Sequence, residues 1–249
     1  MAKICLSQPS TGTIDFVVAD NQKDFVARSV RWAVEEGHEL VIGDTGRYVI
    51  QNAREDIADA ALEMGCDYIM FVDDDMIIPF DTLEKLFPSM EEADIVIPLT
   101  FQRVPPFYPV MYQLKMRDAT AKEAETMGHS KIDGKPKWLD FKKIDEWEDD
   151  GELFDCDAVG FGCVLLKTEI LSKLPKPWFS SWTTIGEDIW FSWQAKLKGF
   201  RVCCDTSFWI GHLADRPLIG RPQFEEYRDH GKVTCWEEKE DKLLEVVNQ

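Results

Sequence analysis

Short apolar runs alternate along the chain with longer segments whose apolar residues recur every third or fourth position, a pattern that predicts strands alternating with amphipathic helices. "KICLSQ" (3–8) predicts a first strand. Residues 24–37 predict a helix capped by Asp24, with Phe25, Val26, Val30, Ala33 and Val34 facing inward and Gly37 ending it. A second strand is expected over 38–43. A second helix is expected over 48–65, with Ile50, Ala53, Ile57, Ala61 and Met64 on one face. "DYIMFV" (67–72) is almost wholly apolar, as a strand buried on both faces should be. "FDTLEKLF" starts a helix with Asp81 and Glu84 at capping-box spacing, and "DIVIPL" (94–99) gives a fourth strand.

This alternation predicts an α/β fold with a mainly parallel sheet flanked by helices and wound by right-handed crossovers. Ligands in such sheets sit at the carboxyl ends of the strands. The loop from Ser7 to Thr13, with Gln8 and Pro9 at its start, and the pair Gly43–Asp44 lie at such ends. So do Asp73, Asp74 and Asp75.

From about residue 101 the rhythm changes. "FQRVPPFYPVMYQLK" has too many prolines for a helix and predicts an irregular segment or edge strand, and 115–150 is charged and weakly periodic. Order returns in "AVGFGCVLLKTEIL", expected to be a strand leading into a helix capped by Thr168. A helix over 186–199 with Ile189, Trp190, Trp193 and Leu197 inward follows, then a strand over 200–205 and the apolar stretch "FWIGHL". The glycines of "GFGC" (160–163) are read as permitting close backbone approach. The chain divides into a regularly alternating half (1–100), a half with an irregular insertion (101–215) and a C-terminal extension (216–249), without a linker between independent domains.

Composition narrows the function classes. The chain has 249 residues and a formal charge of −18, so its average surface repels nucleic acid and anionic lipid. Seven cysteines, several inside apolar runs, fit buried reduced thiols and a cytoplasmic protein. No apolar run reaches the ~18–20 residues of a membrane span.

Three adjacent carboxylates after a buried strand need a compensating cation or donors. Asp81 already stands where the following helix needs a cap, which leaves the triplet surplus to capping. Asp73 and Asp75 can face one hard divalent cation, Mg2+ or Mn2+, with Asp74 turned away. Arg54 could pair with a phosphate, hold an aspartate of the triplet or make a surface ion pair, and Arg103 is a similar candidate. His212 follows an apolar strand near Asp205 and Asp215 and reads equally as a metal ligand or a structural histidine. Glu187 and Asp188 open a helix, where acids also suit the macrodipole. Trp178, Phe179 and Trp182 could stack on a sugar or close a core edge.

"FVDDD" after a βαβαβ half, then "GEDIWFSWQAKLKGF" and "GH", resembles the GT-A fold glycosyltransferases, above all the family 2-like group, over roughly residues 3–213. The resemblance implies that Asp73 and Asp75 form the Asp-x-Asp motif that contacts the nucleotide ribose and the divalent metal. It implies that His212 completes the metal shell and that Asp44 contacts the nucleotide. It also implies nucleotide-sugar binding for the first half (1–100) and acceptor binding for the second (101–215). Glu187 and Asp188 then lie by the acceptor, with Asp188 the first choice for base and Glu187 the second. The implied partner is a nucleoside-diphosphate sugar, UDP- or GDP-linked; the acceptor is open, and nucleic acid is disfavoured by charge. A haloacid-dehalogenase-like phosphatase also uses Asp-x-Asp at a strand end, but it places a Thr where this chain has Ile77. A non-catalytic nucleotide-sugar-binding module is the third reading.

Overall fold

The computed structural model describes residues 1–10, 12–44, 49–126, 131–132, 135–148, 151–181, 185–213 and 218–230. The first half alternates β1 (Lys3–Gln8), α1 (Phe16–Glu36), β2 (Glu39–Asp44), α2 (Ile50–Glu63) and β3 (Tyr68–Val72). Short β4 (Met76–Ile77), α3 (Thr82–Leu86), a 3-10 turn and β5 (Ile95–Leu99) follow. Next come β6 (Met111–Asp118), α4 (Ala121–Thr126), β7 (Lys131–Ile132), β8 (Lys135–Lys143), β9 (Leu153–Cys156), β10 (Ala158–Val159) and β11 (Cys163–Lys167). The described chain closes with α5 (Glu187–Leu197), β12 (Val202–Trp209), β13 (Gly211–Leu213), β14 (Leu218–Ile219) and α6 (Arg221–His230).

A seven-stranded sheet in the order β2-β1-β3-β11-β5-β12-β9 forms the centre. β2, β1, β3, β5 and β12 run one way, while β11 and β9 run against them. The fold is therefore mixed α/β with a mainly parallel sheet, as the alternating pattern predicts. β11 enters between β3 and β5, so the sheet draws adjacent strands from both halves of the chain. Ile69, Met70 and Phe71 of β3 are fully buried, each contributing roughly 1.5–3 kcal/mol of transfer free energy. The common carboxyl edge of β1, β2, β3 and β5 carries Gln8, Asp44, Asp73 and Thr100 in turn. Above it, the small sheet β14-β13-β4 brings His212 opposite Met76, next to the aspartates.

Several local expectations are corrected. α1 begins at Phe16, not near Asp24, because the Asp15 side chain accepts the Val17 amide and caps it. Its inward face is Val18, Gln22, Phe25, Ser29, Trp32 and Ala33, whereas Val34 is 75% exposed. In α2, Arg54 and Ala58 join the buried face, while Met64 is exposed. In α5, Phe191 and Ala195 are buried and Leu197 is exposed. Asp81 makes no side-chain cap bond to α3; it pairs with Lys85, and Glu84 binds Arg28. Thr168 does not cap a helix either, since its hydroxyl donates to the carbonyls of Cys66 and Asp67 ahead of a 3-10 turn. The insertion after β5 is more ordered than its prolines suggest. Its β6 and β8 pair antiparallel within a four-stranded sheet, β10-β6-β8-β7.

Candidate functional site

The turn after β3 is fastened from two sides. The Asp73 amide donates to the Gly162 carbonyl at 2.8 Å. Gly162 permits this approach, because a Cβ there would lie 3.0 Å from the Met76 sulfur. From α1, Gln22 Nε2 donates to the carbonyls of Asp73 and Met76, at 2.8 and 3.1 Å. Asn21 closes a two-bond clamp on the backbone of Ile78. Asn21 and Gln22 are site-shaping residues that sequence reasoning missed. Their one signal is a pair of adjacent amides, Asn21 and Gln22, ahead of the apolar stripe of the same helix.

Each aspartate then meets a different partner. Arg54, 2% exposed, donates from Nη2 to both oxygens of Asp73, at 2.8 and 3.0 Å, and to the Phe161 carbonyl. Its Nη1 binds Glu187, and its guanidinium lies over the rings of Phe71 and Phe161. Of the roles open to Arg54, the structure shows the one that holds the triplet. Burial pushes the Asp73 carboxyl up to about 7, with Arg54 opposing that rise and Asp75 and Asp188 adding to it. Asp74 accepts from Ser10 Oγ at 2.8 Å, away from the other two. Asp75 pairs with Arg103 Nη1 at 3.0 Å and His212 Nε2 at 3.2 Å, both on Oδ2. Burial works to raise its carboxyl, but the His212 hydrogen bond and the charges of His212 and Arg103 hold it below the usual range.

The ring of His212 is oriented from behind. Nδ1 lies 2.9 Å from the Phe101 carbonyl, which can only accept, so Nδ1 carries a proton. In the neutral ring, Nε2 then presents a lone pair to the Asp75 carboxylate. Lone pair against carboxylate is repulsive unless the ring is protonated or a cation lies between them. A metal-binding histidine fixed through its other nitrogen by a carbonyl has this arrangement. Carboxylate oxygen and imidazole nitrogen both suit Mn2+, and one carboxylate completed by phosphate oxygens and water suits Mg2+. Among the described residues no group of three or more His, Cys, Asp or Glu side chains could hold a metal ion by itself. A cation here would share its remaining positions between substrate and water.

α5 supplies the second group of acids. Glu187 is 7% exposed and spent on Arg54. Burial raises its carboxyl, with Arg54 opposing. Asp188 is half-buried, with Oδ2 accepting the Phe161 amide at 3.3 Å and Oδ1 accepting the Ile189 amide. The hydroxyl of Tyr112 accepts a bond from Gln102 Nε2 at 2.8 Å. Burial, with Asp188 adding, pushes that phenol up to about 12.

Other expected residues are placed less centrally. Gln8 bonds to Gln22 and so reaches the aspartate turn through it, and Pro9 is buried beside it. Asp44 ends β2 in register with Gln8, while its side chain lies outside the described residues. Asp205 accepts from the amide and hydroxyl of Ser207, and Asp215 lies outside the described residues. Trp178 and Phe179 are buried, their amides bound to Glu55, so they close the core edge and are not an exposed platform. Trp182 lies outside the described residues.

No protein-family model matches the chain, and no curated protein matches its sequence. Among solved structures it is similar to A197 from STIV, with TM-score 0.50 and 23% identity over 87% of this chain and 93% of that one. S. aureus TarS 1-349 gives TM-score 0.39 and 15% identity over 87% of this chain and 59% of that one. A 4-diphosphocytidyl-2C-methyl-D-erythritol synthase gives TM-score 0.37 and 13% identity over 90% and 95% of the two chains. The likeness to A197 is one of fold alone, a mixed α/β architecture around a mainly parallel central sheet.

Proposed function

We propose that this chain is a metal-dependent, GT-A-like glycosyltransferase that moves a sugar from a UDP- or GDP-linked donor to an acceptor hydroxyl. The observation that carries the reading is the pairing of Asp75 with a His212 whose Nδ1 is pinned by the Phe101 carbonyl. Asp75 and His212 would hold Mn2+ or Mg2+, which on binding would offset the charge of the departing diphosphate. Asp73, fixed by Arg54, would accept a hydrogen bond from the ribose. Asp188 keeps a half-exposed carboxylate and is the base: it takes the acceptor's hydroxyl proton as that oxygen bonds to the anomeric carbon and the bond to diphosphate breaks. Glu187, engaged by Arg54, is a positioning residue.

A phosphatase reading needs Asp73 free as a nucleophile, and the two-pronged contact with Arg54 disfavours it. The test is release of nucleoside diphosphate from a panel of UDP- and GDP-sugars with Mn2+ and candidate acceptors. Asp188→Asn should abolish acceptor-dependent release while nucleotide binding persists. Release that needs no metal and survives Asp188→Asn would defeat the proposal.

A further inference from the structure

Among the described residues two guanidiniums reach the aspartate turn, and they are held in opposite ways. Arg54 is buried, bonded to two acids and a carbonyl, and enclosed by two rings. Arg103 is 54% exposed along its side chain and, among the described residues, makes one ion pair, to Asp75. It extends from Phe101–Gln102–Arg103, three consecutive residues that each touch a different part of the site. The Phe101 carbonyl accepts from His212 Nδ1, Gln102 Nε2 donates to Tyr112, and Arg103 contacts Asp75. The base of this loop is fixed by the Gln102 amide on the Tyr108 carbonyl and by the Phe101–Pro109 bridge. The arginine side chain is thus an exposed arm on a fastened stem.

The oxygen that Arg103 touches, Asp75 Oδ2, is also the one that faces His212 Nε2, so a divalent ion between Asp75 and His212 competes directly with Arg103. We infer that Arg103 is an exchangeable counter-cation, neutralising Asp75 in the free protein and passing to the diphosphate oxygens when metal and diphosphate enter together. The inference rests on the donor reading above. A metal ion arriving alone must displace the guanidinium and leave it unpaired. With a diphosphate present the displaced guanidinium gains a new anionic partner, so the two ligands bind with positive coupling.

Removing the arginine should therefore move two affinities in opposite directions, which a merely structural residue would not do. The experiment titrates Mn2+ alone, followed by the electron paramagnetic resonance of the free ion, into wild type, Arg103→Gln, Arg103→Lys and Lys143→Gln. UDP and GDP are then titrated calorimetrically at saturating Mn2+. Arg103→Gln should bind Mn2+ alone about tenfold more tightly and the nucleoside diphosphate about tenfold more weakly, within the usual range of coupling between sites. Arg103→Lys should keep the wild-type order. Lys143→Gln, which removes one charge from a side chain bound to Gln102 and not to Asp75, should match wild type in both. Both affinities moving together in Arg103→Gln, neither moving, or no Mn2+ binding by wild type would overturn the exchange. Tighter Mn2+ in Arg103→Gln with no nucleotide bound by wild type would support exchange at Asp75 and count against the transferase reading instead.

Discussion

Arg54 holds Asp73, at the end of β3, and Glu187, at the start of α5, on one buried guanidinium. The strand that carries the acidic turn and the helix that carries Asp188 are thereby set relative to one another by a single side chain. Removing it leaves two acids facing each other in a site already rich in carboxylates, so Arg54→Ala should destabilise the protein by about 3–5 kcal/mol. Glu187→Gln, whose amide oxygen still accepts from the guanidinium, should cost clearly less. Urea unfolding of both variants checks this. Equal losses would mean that the bridge carries no special weight.

The aromatic cluster behind the site gives a second expectation. Phe224 of α6 stacks on Phe101 with ring centroids 5.3 Å apart, and Trp147 packs against both. Since the Phe101 carbonyl orients His212, Phe224→Ala should do more than cost about 3–5 kcal/mol of stability. It should also weaken Mn2+ binding measured well below the melting point. Unchanged metal affinity in a destabilised but folded variant would separate α6 from the site.

The cysteines predict an alkaline weakness. Burial pushes the Cys66 thiol up to about 11 and that of Cys203 to about 12, from an ordinary value of 9.0. Above pH 9 the unfolded chain releases these protons while the native state keeps them, so the unfolded state binds fewer protons and stability falls as pH rises. For Cys66 the loss develops between pH 9 and 11. The urea midpoint should decline from pH 8 to pH 10, and Cys66→Ala should flatten that slope whatever it does to the midpoint at pH 8. A slope unaltered by the substitution would assign the decline to other groups.

How far the sequence could be read depended on what each residue does. β1 and β3 are buried strands whose apolar runs leave little choice, and their ends were visible in residues 3–8 and 67–72. Asp73 and Asp75 stand out because acids after a buried apolar strand conflict with burial, whereas Asp188, at a helix start where acids are ordinary, is marked by the family resemblance. The start of α1 was hidden because Asn21 and Gln22 serve the aspartate turn, which breaks the stripe that marks a helix. The bond of Arg54 to Asp73 is one of the readings its sequence position allows, but its bond to Glu187 is not legible, since a cation between Ala53 and Ile57 looks like a surface residue until partners distant in sequence come together. The direction of β11 was illegible too, since an apolar run says nothing of whether its neighbours run with it or against it.

The most direct test of the account is thermal stability with UDP, GDP, CDP and ADP, each with and without Mn2+, for wild type and Asp75→Asn. A ligand at a hundred times its dissociation constant adds about 2.7 kcal/mol to the folded state. An upward shift is expected for UDP or GDP that requires Mn2+ and disappears in Asp75→Asn. No shift with any nucleotide at saturating concentration, or one that persists without metal and in the variant, would contradict it.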